Sequence, residues 1–231
     1  MSDKPKIKVT ENGPYLVSGD VPLNRESSIP NKEEIPERWE SRGKIEAGKS
    51  YSLCRCGKSK TMPFCDGSHV KTEFDGTETA KNEKFDDQAE TYEGPDLILK
   101  DAENFCSIAR FCDRGERVWN LVENPKNKAA TKLAIEESCD CPSGRLVVYD
   151  KKTGKKIEPA FDPSISVTED VEAGLSGPLW VKGGITVESA KGEEYEKRNR
   201  VTLCRCGKSS NKPFCDGTHL NVGFIDKNGV K

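Results

Sequence analysis

The chain has 231 residues, of which 33% are hydrophobic and 33% charged, with 37 basic against 39 acidic side chains. Such a length spans one large or two to three small domains, and so polar a composition argues against a single large apolar core. The balanced charge lacks the basic excess of a nucleic-acid binder, and no run approaches the ~20 apolar residues of a membrane span.

In chain order, residues 1–75 read as a first β-rich unit. Gly13 to Val21 alternates apolar residues around a glycine, as short strands and a tight turn do. Tyr51-Ser52-Leu53 is strand-like and runs into Cys54 and Cys56, with Cys65 and His69 following. Residues 76–94 are almost wholly polar, with Phe85 and Tyr92 as anchors, and read as an exposed linker. Residues 95–160 form a central α+β unit holding Cys106, Cys112, Cys139 and Cys141. Within it, Leu97 to Arg110 and Asn127 to Ser138 are expected as amphipathic helices, and Arg145–Tyr149 with Lys155–Ile157 as a β-hairpin. Residues 161–231 form a second β-rich unit, in which Val201-Thr202-Leu203 leads into Cys204, Cys206, Cys215 and His219.

The two outer units are copies. From Cys54 to His69, 12 of 16 positions recur 150 residues later, whereas the Gly13-Pro14 and Gly177-Pro178 segments lie 164 apart. The difference implies a 14-residue insertion in the first copy, assigned to Ser27–Glu40. The chain has 10 Cys and 2 His, and both His lie inside the repeated clusters, which a disulfide scaffold leaves unexplained. The opening residues show no secretory leader, so a reducing, cytoplasmic setting is expected, where clustered Cys bind metal or react. In an extended segment Cys54 and Cys56 point the same way, and a helix starting near Cys65 would put Cys65 and His69 on one face, its free N–H groups aimed at the site. Three thiolates and one imidazole suit zinc, although this C-x-C is tighter than the usual zinc knuckle.

The run Cys54-Arg-Cys56-Gly-Lys-Ser59-Lys-Thr-Met-Pro63-Phe-Cys65-Asp66-Gly67-Ser68-His69, repeated from Cys204 through Ser209, Pro213, Cys215 and Asp216 to His219, resembles the signature of the CDGSH iron–sulfur, or NEET, family. The resemblance implies one [2Fe-2S] cluster per motif, held by Cys54, Cys56, Cys65 and His69 and by Cys204, Cys206, Cys215 and His219 under a β-cap. Single-motif members are homodimers, and tandem members resemble that dimer folded within one chain, so a monomer with internal pseudo-twofold symmetry is expected. Ser59, Asp66, Ser209 and Asp216 are expected either to support the ligands or to cap turns.

Cys141-Pro142 is similar to the Cys-Pro that closes bacterial ferredoxin clusters, and Cys106-x5-Cys112 to the opening pair of single-cluster ferredoxins. That resemblance implies a third, [3Fe-4S] or [4Fe-4S], cluster on Cys106, Cys112 and Cys141, with Cys139 a fourth candidate. The plainer alternative makes Cys106 and Cys112 small buried hydrophobes beside Phe105 and Phe111. The expected fold class is α+β: two CDGSH units, each a β-cap with a cluster-binding loop and short helix, flanking a small ferredoxin-like insert. The expected role is electron transfer towards a redox partner. A cluster donor serving an acceptor protein, a redox or pH sensor, and a structural zinc-binding interaction module are the alternatives. No enzyme active site, nucleic-acid contact or membrane contact is expected.

Overall fold

The computed structural model describes residues 4–229. The first repeat supplies β1 (Lys6–Val9), β2 (Tyr15–Ser18), β3 (Leu23–Pro30), β4 (Pro36–Ile45), β5 (Tyr51–Leu53) and the short helix α1 (Ser68–Lys71). Next come α2 (Phe85–Gln88), β6 (Glu90–Glu93), β7 (Leu97–Asp101), α3 (Val118–Glu123), α4 (Lys128–Asp140), β8 (Leu146–Asp150) and β9 (Lys156–Ile157). The second repeat contributes β10 (Ser164–Asp170), β11 (Leu175–Lys182), β12 (Thr186–Glu188), β13 (Arg200–Leu203) and α5 (Thr218–Asn221).

The repeats do not form separate sheets. One sheet runs β12-β1-β2-β5 and a second β13-β11-β10-β3-β4, so each mixes strands of both copies. The exchanged strands join in parallel, Ile7 opposite Val187 and Val167 opposite Arg25, while the strands within a repeat run antiparallel. Alternation explains the burial: in β2, Tyr15 and Val17 face inward and Leu16 outward. The inward faces share one core, which includes Ile7, Val9, Tyr15 and Leu53 from the first copy and Ile165, Val167, Leu179 and Leu203 from the second.

The inserted stretch of the first copy becomes most of the β3–β4 hairpin, which has no counterpart beside the three-residue β12. It clamps the central unit. Trp39 stacks on Phe111 at 4.8 Å, packs at a tilt against Trp180 at 4.9 Å and donates Nε1–H to Asp140 O at 3.0 Å. The central unit has a four-stranded antiparallel sheet, β6-β7-β8-β9, with α3 and α4 packed by Val118, Leu121 and Ala134 against Leu97, Leu99, Leu146 and Val148.

Two expectations are corrected here. Leu97–Arg110 is not a helix but β7 followed by a single 3-10 turn at Glu103–Phe105. Leu97, Leu99 and Asp101 are buried in alternation, and pairing with β6 and β8 outweighs the helical spacing. Residues 76–94 are mostly exposed, with Phe85 the buried anchor expected, but they are more than a linker: Thr79 and Ala80 donate backbone N–H to Lys212 O at 2.9 Å, and β6 is an edge strand of the central sheet. The helix expected over Asn127–Ser138 is present as α4, with the Asn127 side chain accepting from Ala129 N and Ala130 N, and the expected hairpin is β8–β9.

Candidate metal centres

Each motif loop is closed by the same backbone clasp. Cys54 N donates to Pro63 O at 2.8 Å and Cys65 N to Ser52 O at 2.9 Å; in the second copy Cys204 N meets Pro213 O and Cys215 N meets Thr202 O, both at 2.9 Å. Ser59 and Ser209 brace the loops by donating to Phe64 O and Phe214 O, each at 2.7 Å. Asp66 accepts from Lys60 N at 2.8 Å and Ser68 N at 2.9 Å, and Asp216 from Ser210 N at 2.7 Å and Thr218 N at 3.0 Å. Burial pushes the Asp216 carboxyl up, but hydrogen bonds from Thr218 and Ser210 bring it down to about 2. The side chains of these serines and aspartates are therefore braces of their own motif loops.

The helix expected from Cys65 starts later and is brief. α1 and α5 have four residues each, preceded by Gly67 and Gly217 at φ 82° and 83°. What remains of the expected anion-facing helix start is one N–H per site, Gly67 N to Cys65 Sγ at 3.5 Å and Gly217 N to Cys215 Sγ at 3.4 Å.

The donors stand in pairs. Cys54 Sγ and Cys56 Sγ are 3.8 Å apart, Cys204 Sγ and Cys206 Sγ 3.6 Å, and each of Cys65 and Cys215 lies 3.4 Å from Nδ1 of His69 and His219. Bonds of ~2.3 Å to sulfur and ~2.0 Å to nitrogen at a tetrahedral ion give edges of about 3.8 and 3.5 Å. Each pair thus matches one edge of one metal ion. Among the described residues, no three His, Cys, Asp or Glu side chains gather around a single point. Two pairs, one of two thiols and one of thiol plus imidazole, suit a two-iron cluster better than one zinc ion. One thiol of each C-x-C pair is favoured for deprotonation: the Cys56 thiol, then the backbone N–H groups of Ser59, Gly57 and Lys58, bring Cys54 down against the cost of burial, while the same pairing and burial push Cys56 up. Cys206 and the same backbone arc bring Cys204 to about 6.

The two loops meet back to back. A Cβ on Gly57 would lie 2.4 Å from Cys206 O, and one on Gly207 2.5 Å from Cys56 O, while both glycines have positive φ. Only glycine allows this approach, and it places Cys54, Cys56, Cys204 and Cys206 in one buried cluster with Met62 and Phe224. The sites nevertheless differ in cover. Cys65 and His69 are half-buried, whereas Cys215 and His219 are buried. The cover on the second site comes from the central unit, whose Ile108 lies against Gly217. Burial, then the neighbouring Arg205, pushes His219 down to about 4.

In the central unit Cys106, Cys112 and Cys141 are half-buried, and Cys112 lies within electrostatic reach of the other two: burial, then Cys141, and more weakly Cys106, push its thiol up. Cys139 is not with them. Its Sγ lies 4.0 Å from Ile157 O, and its thiol, raised chiefly by burial, responds to Arg200, Asp140 and Glu158 rather than to another cysteine. It sits in the last turn of α4, where positions two apart point about 200° apart, and Cys141 lies beyond the helix end. Arg200 of β13 fixes that end by donating Nη1 to Ser138 O, Cys139 O and Cys141 O at 2.8, 2.8 and 2.7 Å. Arg145, bound through Nε to Asp101 at 2.5 Å, stands beside Cys106. Trp119 is half-buried against the core of the central unit, its Nε1 donating to Asp101.

A contact links the central and second sites. Phe105, preceding Cys106, meets Phe214, preceding Cys215, edge to face with centroids 5.4 Å apart. The Arg198 guanidinium lies 3.7 Å over Phe105 and 5.7 Å from Phe214, and its buried Nη2 has no hydrogen-bond partner among the described residues. Arg55, Arg198, Arg200 and Arg205 were not singled out from the sequence. The available signal was the same arginine inside both C-x-C pairs, and the alternation Arg198-Asn-Arg200 entering β13.

A model of the iron-binding zinc finger CDGSH type matches residues 12–70 and 176–220, and a model of divergent 4Fe-4S mono-cluster proteins matches residues 92–151 between them. The chain is 48% identical over 40 residues to the mouse (Mus musculus) CDGSH iron-sulfur domain-containing protein 3, mitochondrial, a match covering 17% of this chain and 29% of that protein. The human (Homo sapiens) protein of the same name is 70% identical over 23 residues, 10% of this chain and 18% of that protein. The matches thus span less than a third of either relative, and no solved structure matches the chain. One family model is recovered on both Cys3His loops with a 4Fe-4S-type segment between them, so the chain carries two CDGSH-type iron–sulfur segments in tandem.

Proposed function

We propose that this chain is an electron carrier holding two [2Fe-2S] clusters, on Cys54, Cys56, Cys65 and His69 and on Cys204, Cys206, Cys215 and His219. A third cluster sits on Cys106, Cys112 and Cys141, where three donors match a [3Fe-4S] centre or a [4Fe-4S] centre with one iron lacking a protein ligand. Each cluster supplies a one-electron couple where it is bound, and the chain's residues set spacing, cover and charge. The observation that carries the reading is the Phe105–Phe214 contact, which joins a ligand of the central site to a ligand of the second repeat through packed side chains. A staple that served stability alone would not need its centres in series. No residue is assigned a catalytic role, and the partner is a redox protein. The cytoplasmic setting belongs to this proposal. No helix among the described residues is long and apolar enough to cross a membrane, and the two named relatives are mitochondrial.

Iron and sulfide analysis with an anaerobic visible spectrum tests the reading. About seven or eight iron atoms per chain are expected, against about four for two [2Fe-2S] sites alone. Cys112→Ser should remove the excess and Cys139→Ser should not. A chain with about four iron atoms, unchanged by Cys112→Ser, has no third cluster. The half-buried Cys65 and His69 favour one second reading, cluster donation from the first site. Transfer to an apo-acceptor from wild type, but not from His69→Cys, would support it.

A further inference from the structure

The repeat loops are nearly identical, yet the charge around them is not. Each C-x-C encloses an arginine, Arg55 or Arg205, and both are among the most deeply buried side chains. Arg55 is held by neutral groups. Its Nη1 donates to Thr10 O at 3.0 Å and its Nη2 to Gly76 O, and its guanidinium lies 5.6 Å from the rings of Tyr15 and Phe74. Among the described residues it makes no ion pair, and the exposed Asp75 carboxyl is governed chiefly by Thr77, with Arg55 a minor influence.

Arg205 is placed in the opposite situation. Nη1 donates to Asp226 Oδ2 at 2.7 Å and Nη2 to Glu169 Oε1 at 3.0 Å, while Nε donates to Gly177 O at 2.7 Å and Nη2 also to Thr168 O at 3.0 Å. Glu169 also takes Arg25 Nη1 at 2.9 Å and Ser176 Oγ at 2.5 Å. Two guanidiniums and two carboxylates cancel beside the second site, whereas the first keeps one unopposed positive charge. Cover acts in the same direction. Cys65 and His69 are half-buried, while Cys215 and His219 are buried, with Ile108 against the intervening Gly217. Reducing a [2Fe-2S] centre adds one negative charge, with no bond made or broken and no proton required. A nearby cation and access to water both stabilise that charge; burial beside a neutralised arginine does not.

We propose that the two repeat sites are an inequivalent redox pair, in which Arg55 sets the first at the higher potential and the Glu169–Arg205–Asp226 network holds the second lower. The proposal rests on the iron–sulfur reading above. An electron shared by the pair then resides at the first site, the one that a partner protein can reach.

Potentiometric titration of the full-length, cluster-loaded protein, followed by electron paramagnetic resonance of the reduced [2Fe-2S] signals, tests this. Two steps are expected, separated by at least a tenfold bias, about 59 mV for a one-electron couple. His69→Cys, which exchanges imidazole for thiolate, should lower the upper step alone and so assign it to the first site. Arg55→Gln should lower the upper step and narrow the gap, Arg55→Lys should retain most of it, and Glu169→Gln should raise the lower step. A single common potential, or movement of the lower step by His69→Cys, overturns the inequivalence and leaves the iron–sulfur reading intact. Protein carrying zinc without sulfide overturns both. If Arg55→Gln fails to retain its cluster, the His69→Cys assignment and the Glu169→Gln shift still decide.

Discussion

At the scale of single residues, the two histidines are the same donor in different surroundings. Protons compete with a metal for an imidazole nitrogen. For His219, burial and then Arg205 move proton uptake down to about 4, below the usual 6.5. A histidine whose native pKa is lowered favours the folded, neutral form fully above its ordinary value, and loses that advantage as pH falls towards the native one. His69 is half-exposed and open to solvent. Acid bleaching should therefore be biphasic, the first site failing at higher pH. His69→Cys should remove the early phase and His219→Cys the late one, read by visible absorbance against pH; a single phase lost in both variants would refute this order. Glu137 gives a prediction of opposite sign. It is fully buried in α4 with no partner for either oxygen among the described residues, and burial raises it to about 8 from 4.5. The folded state then binds the extra proton between those values, so stability should fall as pH rises, by up to about 1.4 kcal/mol per pH unit. Glu137→Gln should flatten that slope in urea melts at pH 5 to 8 and leave the protein more stable at the alkaline end.

At the scale of elements, the C-x-C hairpins and the β3–β4 arm govern where the sites lie. Gly57→Ala must adopt φ near 72° and place a methyl 2.4 Å from the Cys206 carbonyl. It should cost more than about 1 kcal/mol and reduce cluster content in both repeats, because the two loops share that contact. Gly43→Ala is the control. Its φ is 99° but nothing lies within 4 Å, so strain alone should lower the melting temperature slightly without touching cluster content. Equal effects of the two substitutions would mean that the back-to-back contact is not structural. The β3–β4 arm shows a second kind of legibility. Its presence follows from the mismatch between the 150- and 164-residue offsets, but its task, holding Trp39 against Phe111 and Trp180, needs contacts that no offset contains.

At the scale of the whole molecule, strand exchange makes the repeats interdependent. β1 needs β12 and β3 needs β10, so residues 1–75 or 161–231 expressed alone leave unpaired strand edges and half a core. Each fragment alone should show little β-signal by circular dichroism and bind little iron. A folded, cluster-bearing 1–75 fragment would show that the exchange is dispensable. The central unit has its own small core, yet it is tied to the second repeat by Arg200, Phe105 and Ile108. The pseudo-twofold of the repeats is thus broken by what covers one side of it.

Local chemistry was written plainly in the chain. The candidate donors and their spacings in Cys54–His69 and Cys204–His219, the repeat itself, α4 with its Asn127 cap and the β8–β9 hairpin all depend on residues close together, whose geometry follows from backbone periodicity. Leu97–Asp101 was misread because a short apolar run fits either period until its partners β6 and β8 are known. Cys139 stayed a fourth candidate behind Cys141 because only the end of α4, pinned by Arg200 some sixty residues away, turns the two thiols apart. Nor could sequence distinguish Arg55 from Arg205, which occupy the same position of the same motif. Glu169 and Asp226 reach one and not the other, and electrostatic strength depends on distance and burial in space, which only the folded chain determines.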